Sequence, residues 1–146
     1  PRATLSGSAR IFAADGVRRI VVTREATRSL FARDIETIAL SGSTTLLDPA
    51  AILEALSARG LRRVLVEGGA RTVSHFLAAG CLDRLHVVVA PVILGSGIPS
   101  LALPPIARVT DALRVPVDAH LLGDEVLFDC DLSTRRASAG DANKSI

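Results

Sequence analysis

Four apolar runs of strand length constrain this chain most: Arg19–Thr23, Ile35–Leu40, Val64–Glu67 and Leu85–Ala90, each rich in β-branched residues. They do not alternate apolar with polar, so both faces of each strand ask to be covered. Helices packed on a mostly parallel sheet meet that demand. Between the runs, Ala26–Arg33, Pro49–Arg59 and Arg71–Ala79 place apolar residues three or four apart, as in Ile52, Leu53 and Leu56 or Val73, Phe76 and Leu77. These spacings predict amphipathic helices. The second carries its own punctuation, with Asp48 as N-cap, Pro49 at the first helical position and Gly60 just past the end. Strands joined by helices, with right-handed crossovers, make this an α/β domain.

After Pro105 the pattern changes. Ala112–Leu122 and Glu125–Leu132 flank a Gly123-Asp124 turn with no helix between them, which predicts an antiparallel C-terminal hairpin. From Thr134 onward the chain is small, polar and aperiodic, so residues 134–146 read as a disordered tail and 1–133 as the folded domain.

Charge and aromatic content exclude one class of partner. The formal charge of +2 resides in the tail, where Arg135, Arg136 and Lys144 outnumber Asp141, and the chain has four Phe with no Trp or Tyr. A nucleic-acid surface needs clustered cations and, commonly, stacking aromatics, so none is expected. Cys81 and Cys130 lie far apart in apolar stretches and read as buried free thiols. His75, His86 and His120 show no ligand spacing, so no metal is expected. The uncharged span Leu85–Ala107 is broken by Pro91, Pro99, Pro104, Pro105, Gly95 and Gly97, which excludes a spanning helix there. Without a secretory leader pattern at Pro1, the expected compartment is the cytoplasm.

The chemistry concentrates in Leu61–Gly80, where an apolar strand ends at Glu67, turns through Gly68-Gly69 and enters a helix that closes at Gly80. Glycines let a ligand approach the backbone, and the free N–H groups and positive dipole end of the helix favour an anion. Arg71 in the first helical turn opposes that dipole by about 0.3–1 kcal/mol, a penalty that a bound anion reverses. An ordinary tight turn with a solvated arginine explains the same local pattern. Glu67, at the carboxyl end of a strand, faces the crevice where open α/β sheets bind ligands; a strand-end glutamate bonded to nearby amides is the alternative. Thr23 and Arg24 close another strand on the same edge and offer a hydroxyl and a guanidinium for a second phosphate, or else a helix cap and a surface charge. Leu94–Gly97 (LGSG) forms a flexible loop after Pro91, without the full GxGxxG or Walker pattern. Ser74 and Ser96 lack the surroundings of a hydrolase nucleophile.

Taken together, Val64-Leu65-Val66-Glu67-Gly68-Gly69, the helix to Gly80 and the run CLDRLHVVVAPVILGSG resemble the riboflavin-biosynthesis pyrimidine reductase family, over about Arg10 to Leu132. This family forms the C-terminal domain of bifunctional deaminase-reductases and has a dihydrofolate-reductase-like fold. The resemblance implies NADPH-dependent reduction of 5-amino-6-(5-phosphoribosylamino)uracil, with hydride delivered to the sugar's C1′ to give the ribityl chain. It implies that Gly68, Gly69, Ala70, Arg71, Thr72 and Val73 hold the cofactor's pyrophosphate and that Thr23 and Arg24 serve the adenosine 2′-phosphate. Glu67 would orient the substrate or support developing charge, and Leu94 and Gly95 would line the substrate pocket through their backbone. A homodimer is also implied. The family's domain opens with a further strand and helix that would precede Pro1, so the resemblance implies an N-terminally incomplete domain. The zinc deaminase signature is absent from the sequence. Two other readings stay open: a dihydrofolate-reductase-like enzyme acting on another small molecule, and a non-catalytic nucleotide-binding module.

Overall fold

The computed structural model describes residues 9–12, 15–30, 35–41 and 46–133, so the expected tail from Thr134 lies outside the described residues. The chain divides into two units, Pro1–Val64 and Leu65–Ile146.

In the first unit, β1 (Ile20–Arg24) and β2 (Glu36–Leu40) pair in parallel, with Ile20 opposite Glu36 and Arg24 opposite Leu40. Ile38 on β2 is buried. The expected helix after β1 is a 3-10 segment, Glu25–Leu30, and residues 31–33 of that expectation lie outside the described residues. Its tightness has a local cause: the Thr27 hydroxyl donates to the Arg24 carbonyl at 3.1 Å, offering this backbone group a partner three residues away. Helix α1 (Pro49–Ser57) follows its punctuation closely. Asp48 Oδ1 accepts from the Ala50 N–H at 3.1 Å, and beyond the helix Gly60 at φ +81° lets the Leu61 N–H bond back to the Leu56 carbonyl.

Ion pairs lace the unit's surface. Glu36 accepts from Arg18 Nε at 2.9 Å and from Arg59 Nε at 3.1 Å, joining the approach to β1, the start of β2 and the end of α1. Asp15, bonded chiefly by the Arg19 guanidinium and next by the Val17 N–H, has its carboxyl lowered to about 2. A carboxyl lowered in the folded state stabilises at pH values above its unfolded range near 4 and loses that contribution as pH falls toward 2. The pair is exposed, so the effect is small. Asp15→Asn is therefore expected to lower the melting temperature slightly at pH 7, with the difference from wild type closing as pH falls from about 4 to about 2. A difference that persists at pH 2 would remove the carboxylate as its cause.

In the second unit, α2 (Ala70–Ala78) buries Ser74, Phe76 and Leu77. It ends as α1 does, with Gly80 at φ +65° and the Cys81 N–H bonded to the Phe76 carbonyl. Strands β3 (Arg84–Val89), β4 (Val117–Leu122) and β5 (Glu125–Asp131) form an antiparallel sheet in the order β3-β5-β4. The expected hairpin is β4–β5, closed by Leu122 opposite Glu125, with positive φ at Gly123 alone as a glycine-first two-residue turn requires. Residues 112–116 precede the strand rather than belong to it.

Cross-strand register sorts the sheet's faces. Leu85, Cys130 and Val117 share a face with Val87, Phe128 and Ala119, whereas His86, Asp129 and Asp118 lie on the other. On the polar face, Arg84 Nε lies 2.9 Å from Asp129 Oδ1, and His86 Nε2 lies 3.3 Å from the same oxygen. Leu132, just past β5, is the most buried large side chain among the described residues, and its N–H bonds the Asp83 carbonyl.

The α/β class expected from the sequence is what the chain shows: parallel strands, helices and an antiparallel three-stranded sheet. Two local expectations change. Val64–Glu67 joins neither sheet among the described residues, and Leu65 there is 79% exposed. An apolar run becomes a strand only through a neighbouring ladder, and this run forms none with a described strand. Cys81 and Cys130 are free thiols as read, but half-buried rather than buried. Among the described residues no helix is long and apolar enough to cross a membrane, and no three His, Cys, Asp or Glu side chains converge as metal ligands.

Candidate functional site

The two nine-residue helices begin in opposite ways. Where α1 is capped by Asp48, α2 starts from Gly69 at φ −71° and ψ 169°, with no side-chain cap and no acidic residue in its first turn. The N–H groups of Thr72 and Val73 reach the Gly69 carbonyl at 2.9 and 3.4 Å, so those of Ala70 and Arg71 are the ones left without an intrahelical acceptor. They and the helix dipole present a positive end directly after Glu67.

Gly68 and Gly69 are needed for different reasons. A Cβ at Gly68 would stand 3.1 Å from Thr72 Cβ and 3.2 Å from its Oγ1, so this glycine admits the close return of the helix. A Cβ at Gly69 would meet nothing within 4 Å, and its φ is one any residue adopts. Gly68→Ala is thus expected to displace Thr72 and cost about 1 kcal/mol of stability. Gly69→Ala costs at most about 1 kcal/mol through its weaker N-cap preference. If the backbone here receives a nucleotide pyrophosphate, Gly69→Ala nevertheless weakens nucleotide binding roughly tenfold, because the added methyl stands where the ligand approaches. Thermal melting and calorimetric titration separate the two effects; unchanged affinity in Gly69→Ala would leave only a tight turn.

Arg71 and Thr72 are exposed, and Glu67 is exposed without a hydrogen bond or ion pair among the described residues. The reading in which Glu67 is tied to nearby amides therefore has no bond behind it. Glu67 just before the turn and Arg71 in the first turn of α2 are thus an exposed negative and an exposed positive residue close in sequence to the open helix end. Val73 is half-buried.

In the first unit, Thr23 is buried at 8% exposure, with its Oγ1 2.6 Å from Thr27 Oγ1. Thr27 gives its single hydroxyl proton to the Arg24 carbonyl, so the Thr23 hydroxyl donates to Thr27. That commits the proton which a phosphate oxygen would need. Arg24 differs: its Nη2 is buried and has no hydrogen-bond partner. A buried donor left unpaired costs about 1–3 kcal/mol, and an anion would satisfy it. Thr27 is the member that sequence reading missed; its spacing of four from Thr23 was visible, but the contact depends on the 3-10 turn between them.

Leu94 and Gly95 lie on the connection between β3 and β4. Leu94 is 78% exposed, Gly95 has φ +72°, and the Ser96 N–H bonds the Leu94 carbonyl at 2.8 Å in a very tight turn. What this turn offers a ligand is backbone. The structure thus places Glu67 to Val73 consecutively at one helix end and Leu94-Gly95 on a loop of the same unit, while Thr23, Arg24 and Thr27 cluster within the other unit.

Comparison with known proteins gives these features a family. A curated riboflavin biosynthesis protein RibD from Aquifex aeolicus is 30% identical over 111 residues, which are 74% of this chain and 30% of that protein. RibD from Mycobacterium tuberculosis is 36% identical over 82 residues, 56% of this chain and 24% of that protein. Among solved structures, a Thermotoga maritima protein described as a diaminohydroxyphosphoribosylaminopyrimidine deaminase/5-amino-6-(5-phosphoribosylamino)uracil reductase superposes with TM-score 0.70 at 25% identity, covering 89% of this chain and 35% of that one. Acinetobacter baumannii RibD superposes with TM-score 0.67 at 21% identity, again over 89% of this chain and 35% of that one, a likeness of fold. The chain spans about a third or less of the length of these proteins. The family profile described as RibD C-terminal domain matches residues 1–121, and this chain belongs to that family.

Proposed function

We propose that this chain supplies the reductase half of a riboflavin-biosynthesis enzyme, reducing the ribose of 5-amino-6-(5-phosphoribosylamino)uracil to its ribityl form with NADPH. The observation that carries this reading is the uncapped N-terminus of α2 set directly after a free carboxylate, Glu67. It is an anion-binding helix end beside a group able to orient a polar substrate.

NADPH, when bound, supplies the hydride that forms the new C1′–H bond. The bond from C1′ to the sugar ring oxygen breaks, and a proton joins that oxygen. The chain's own contribution is placement. The backbone of Gly68 to Val73, with Arg71, holds the pyrophosphate; Arg24 holds the 2′-phosphate with its free Nη2, and Thr23 and Thr27 brace the turn that carries Arg24. Each unit by itself offers a feature that an anionic group would satisfy, an orphaned buried donor at Arg24 in the first and an open helix end at α2 in the second. Glu67 orients the substrate and supports positive charge developing at C1′, while Leu94 and Gly95 border the pyrimidine through backbone groups.

The proposed active form is a cytoplasmic homodimer. Its support is the exposed apolar row Val117, Ala119 and Leu121 on edge strand β4, where Leu121 is 81% exposed. Calorimetric titration with NADPH and, separately, NADH tests the cofactor assignment. Saturable binding with NADPH preferred is expected; a folded sample that binds neither contradicts it.

A further inference from the structure

The segment from Ala90 to Arg108 runs between β3 and the short 3-10 turn Val109–Asp111 with no regular structure of its own. Chains of this length usually hold their place by burying apolar side chains. This one does so only at Leu101, which is half-buried, whereas Ile93 is 99% exposed and Ile98 95%. The bonds from Val92 N–H to the Ala90 carbonyl and from Ser96 N–H to the Leu94 carbonyl close turns within the segment, and Arg108 at its end bonds the neighbouring Asp111.

Among the described residues, one bond ties the segment to a distant part of the chain. The Ala102 N–H donates to Ser74 Oγ at 2.7 Å, across 28 residues of sequence. Ser74 lies in the middle of α2 and is only 4% exposed, so the bond is shielded from competing water. On the helix, Ser74 stands four residues after Ala70 and three after Arg71, on the side of α2 that continues from its open N-terminus.

We propose that Ser74 is a positioning residue, whose hydroxyl holds the loop carrying Leu94 and Gly95 against the helix that receives the cofactor and so sets how the pyrimidine substrate is seated. The inference rests on the reductase reading for what the loop contacts. Pro99 lies between Ala102 and the Leu94-Gly95 turn and narrows the freedom of the chain there, so an anchor at Ala102 limits how far that turn strays.

The test uses the full-length protein with Ser74→Ala and Ser74→Thr. Removing the hydroxyl is expected to raise KM for the pyrimidine about tenfold, with kcat changed less than about threefold and the NADPH dissociation constant unchanged. Amide exchange at Ala102 is expected to quicken by about the same factor, and threonine, which keeps the hydroxyl, to restore both readouts. An unchanged KM despite faster Ala102 exchange would overturn the proposal. So would a melting-temperature loss accompanied by parallel changes in KM, kcat and cofactor affinity, which marks a structural role only. Failure of the wild-type protein to reduce the pyrimidine would instead sink the reductase reading. The positioning claim would then stand or fall on the calorimetric affinity for the pyrimidine in wild type and Ser74→Ala.

Discussion

Replacing Arg24 by methionine is expected to weaken NADPH binding by roughly 10- to 100-fold while leaving NADH within about threefold, because a charge-assisted bond to a phosphate is worth about 1.5–3 kcal/mol. The two cofactors differ only in the 2′-phosphate, so their ratio isolates the contact. The apo protein makes the sharper prediction. Arg24 Nη2 is buried without a partner, and methionine fills similar volume without a donor to satisfy. Stability of the unliganded protein should therefore be unchanged or higher. An arginine with a structural role predicts the reverse, a destabilised apo protein with an unaltered NADPH-to-NADH ratio. Denaturant melts and paired titrations read both quantities on one sample.

Glu67→Gln is expected to lower kcat by about 10²–10³-fold, the range associated with losing one electrostatic group aimed at developing charge. Glutamine keeps the size and hydrogen-bonding ability of the side chain, so orientation through neutral bonds survives while the charge does not. Since Glu67 is exposed and free of ion pairs among the described residues, little folding stability is at stake. The NADPH dissociation constant should stay within about threefold, because the proposed pyrophosphate contacts come from residues 68 to 73 rather than from Glu67. A rise in KM alone would leave Glu67 with substrate orientation and remove its support of developing charge. No change in either constant would remove it from the site.

Where local chemistry decides structure, the chain was readable in advance. Asp48, Pro49 and Gly60 marked both ends of α1 because caps are made by residues within a few positions of one another. Gly123 marked the hairpin for the same reason, since only a glycine enters that turn without strain. Gly68-Gly69 before a helix similarly announced an open N-terminus, and the structure adds that the two glycines serve different ends.

Non-local facts were not legible. Val64–Glu67 has the composition of a buried strand, but composition does not specify the ladder partner that would make it one. The exposure of Glu67 and Arg71, which weighs between a ligand site and a satisfied turn, depends on what surrounds them rather than on their spacing. The commitment of the Thr23 hydroxyl to Thr27 needs the 3-10 geometry, and the bond from Ala102 to Ser74 spans 28 residues with no sequence signal at either end. Each omission concerns a partner distant in sequence or a geometry that the sequence pattern did not specify. The family resemblance supplied the chemistry that local reading left open, as the match over residues 1–121 bears out for the family itself.

The most direct test of the central claim is isotopic. The full-length protein is incubated with 5-amino-6-(5-phosphoribosylamino)uracil and NADPH deuterated at the transferable nicotinamide position, and the product is read by mass spectrometry and NMR. A single deuterium at C1′ of a ribityl chain, with none in the pyrimidine ring, is the predicted result. Deuterium in the ring, or cofactor binding with no transfer at all, would contradict the account and leave a reductase of a different bond or a nucleotide-binding module.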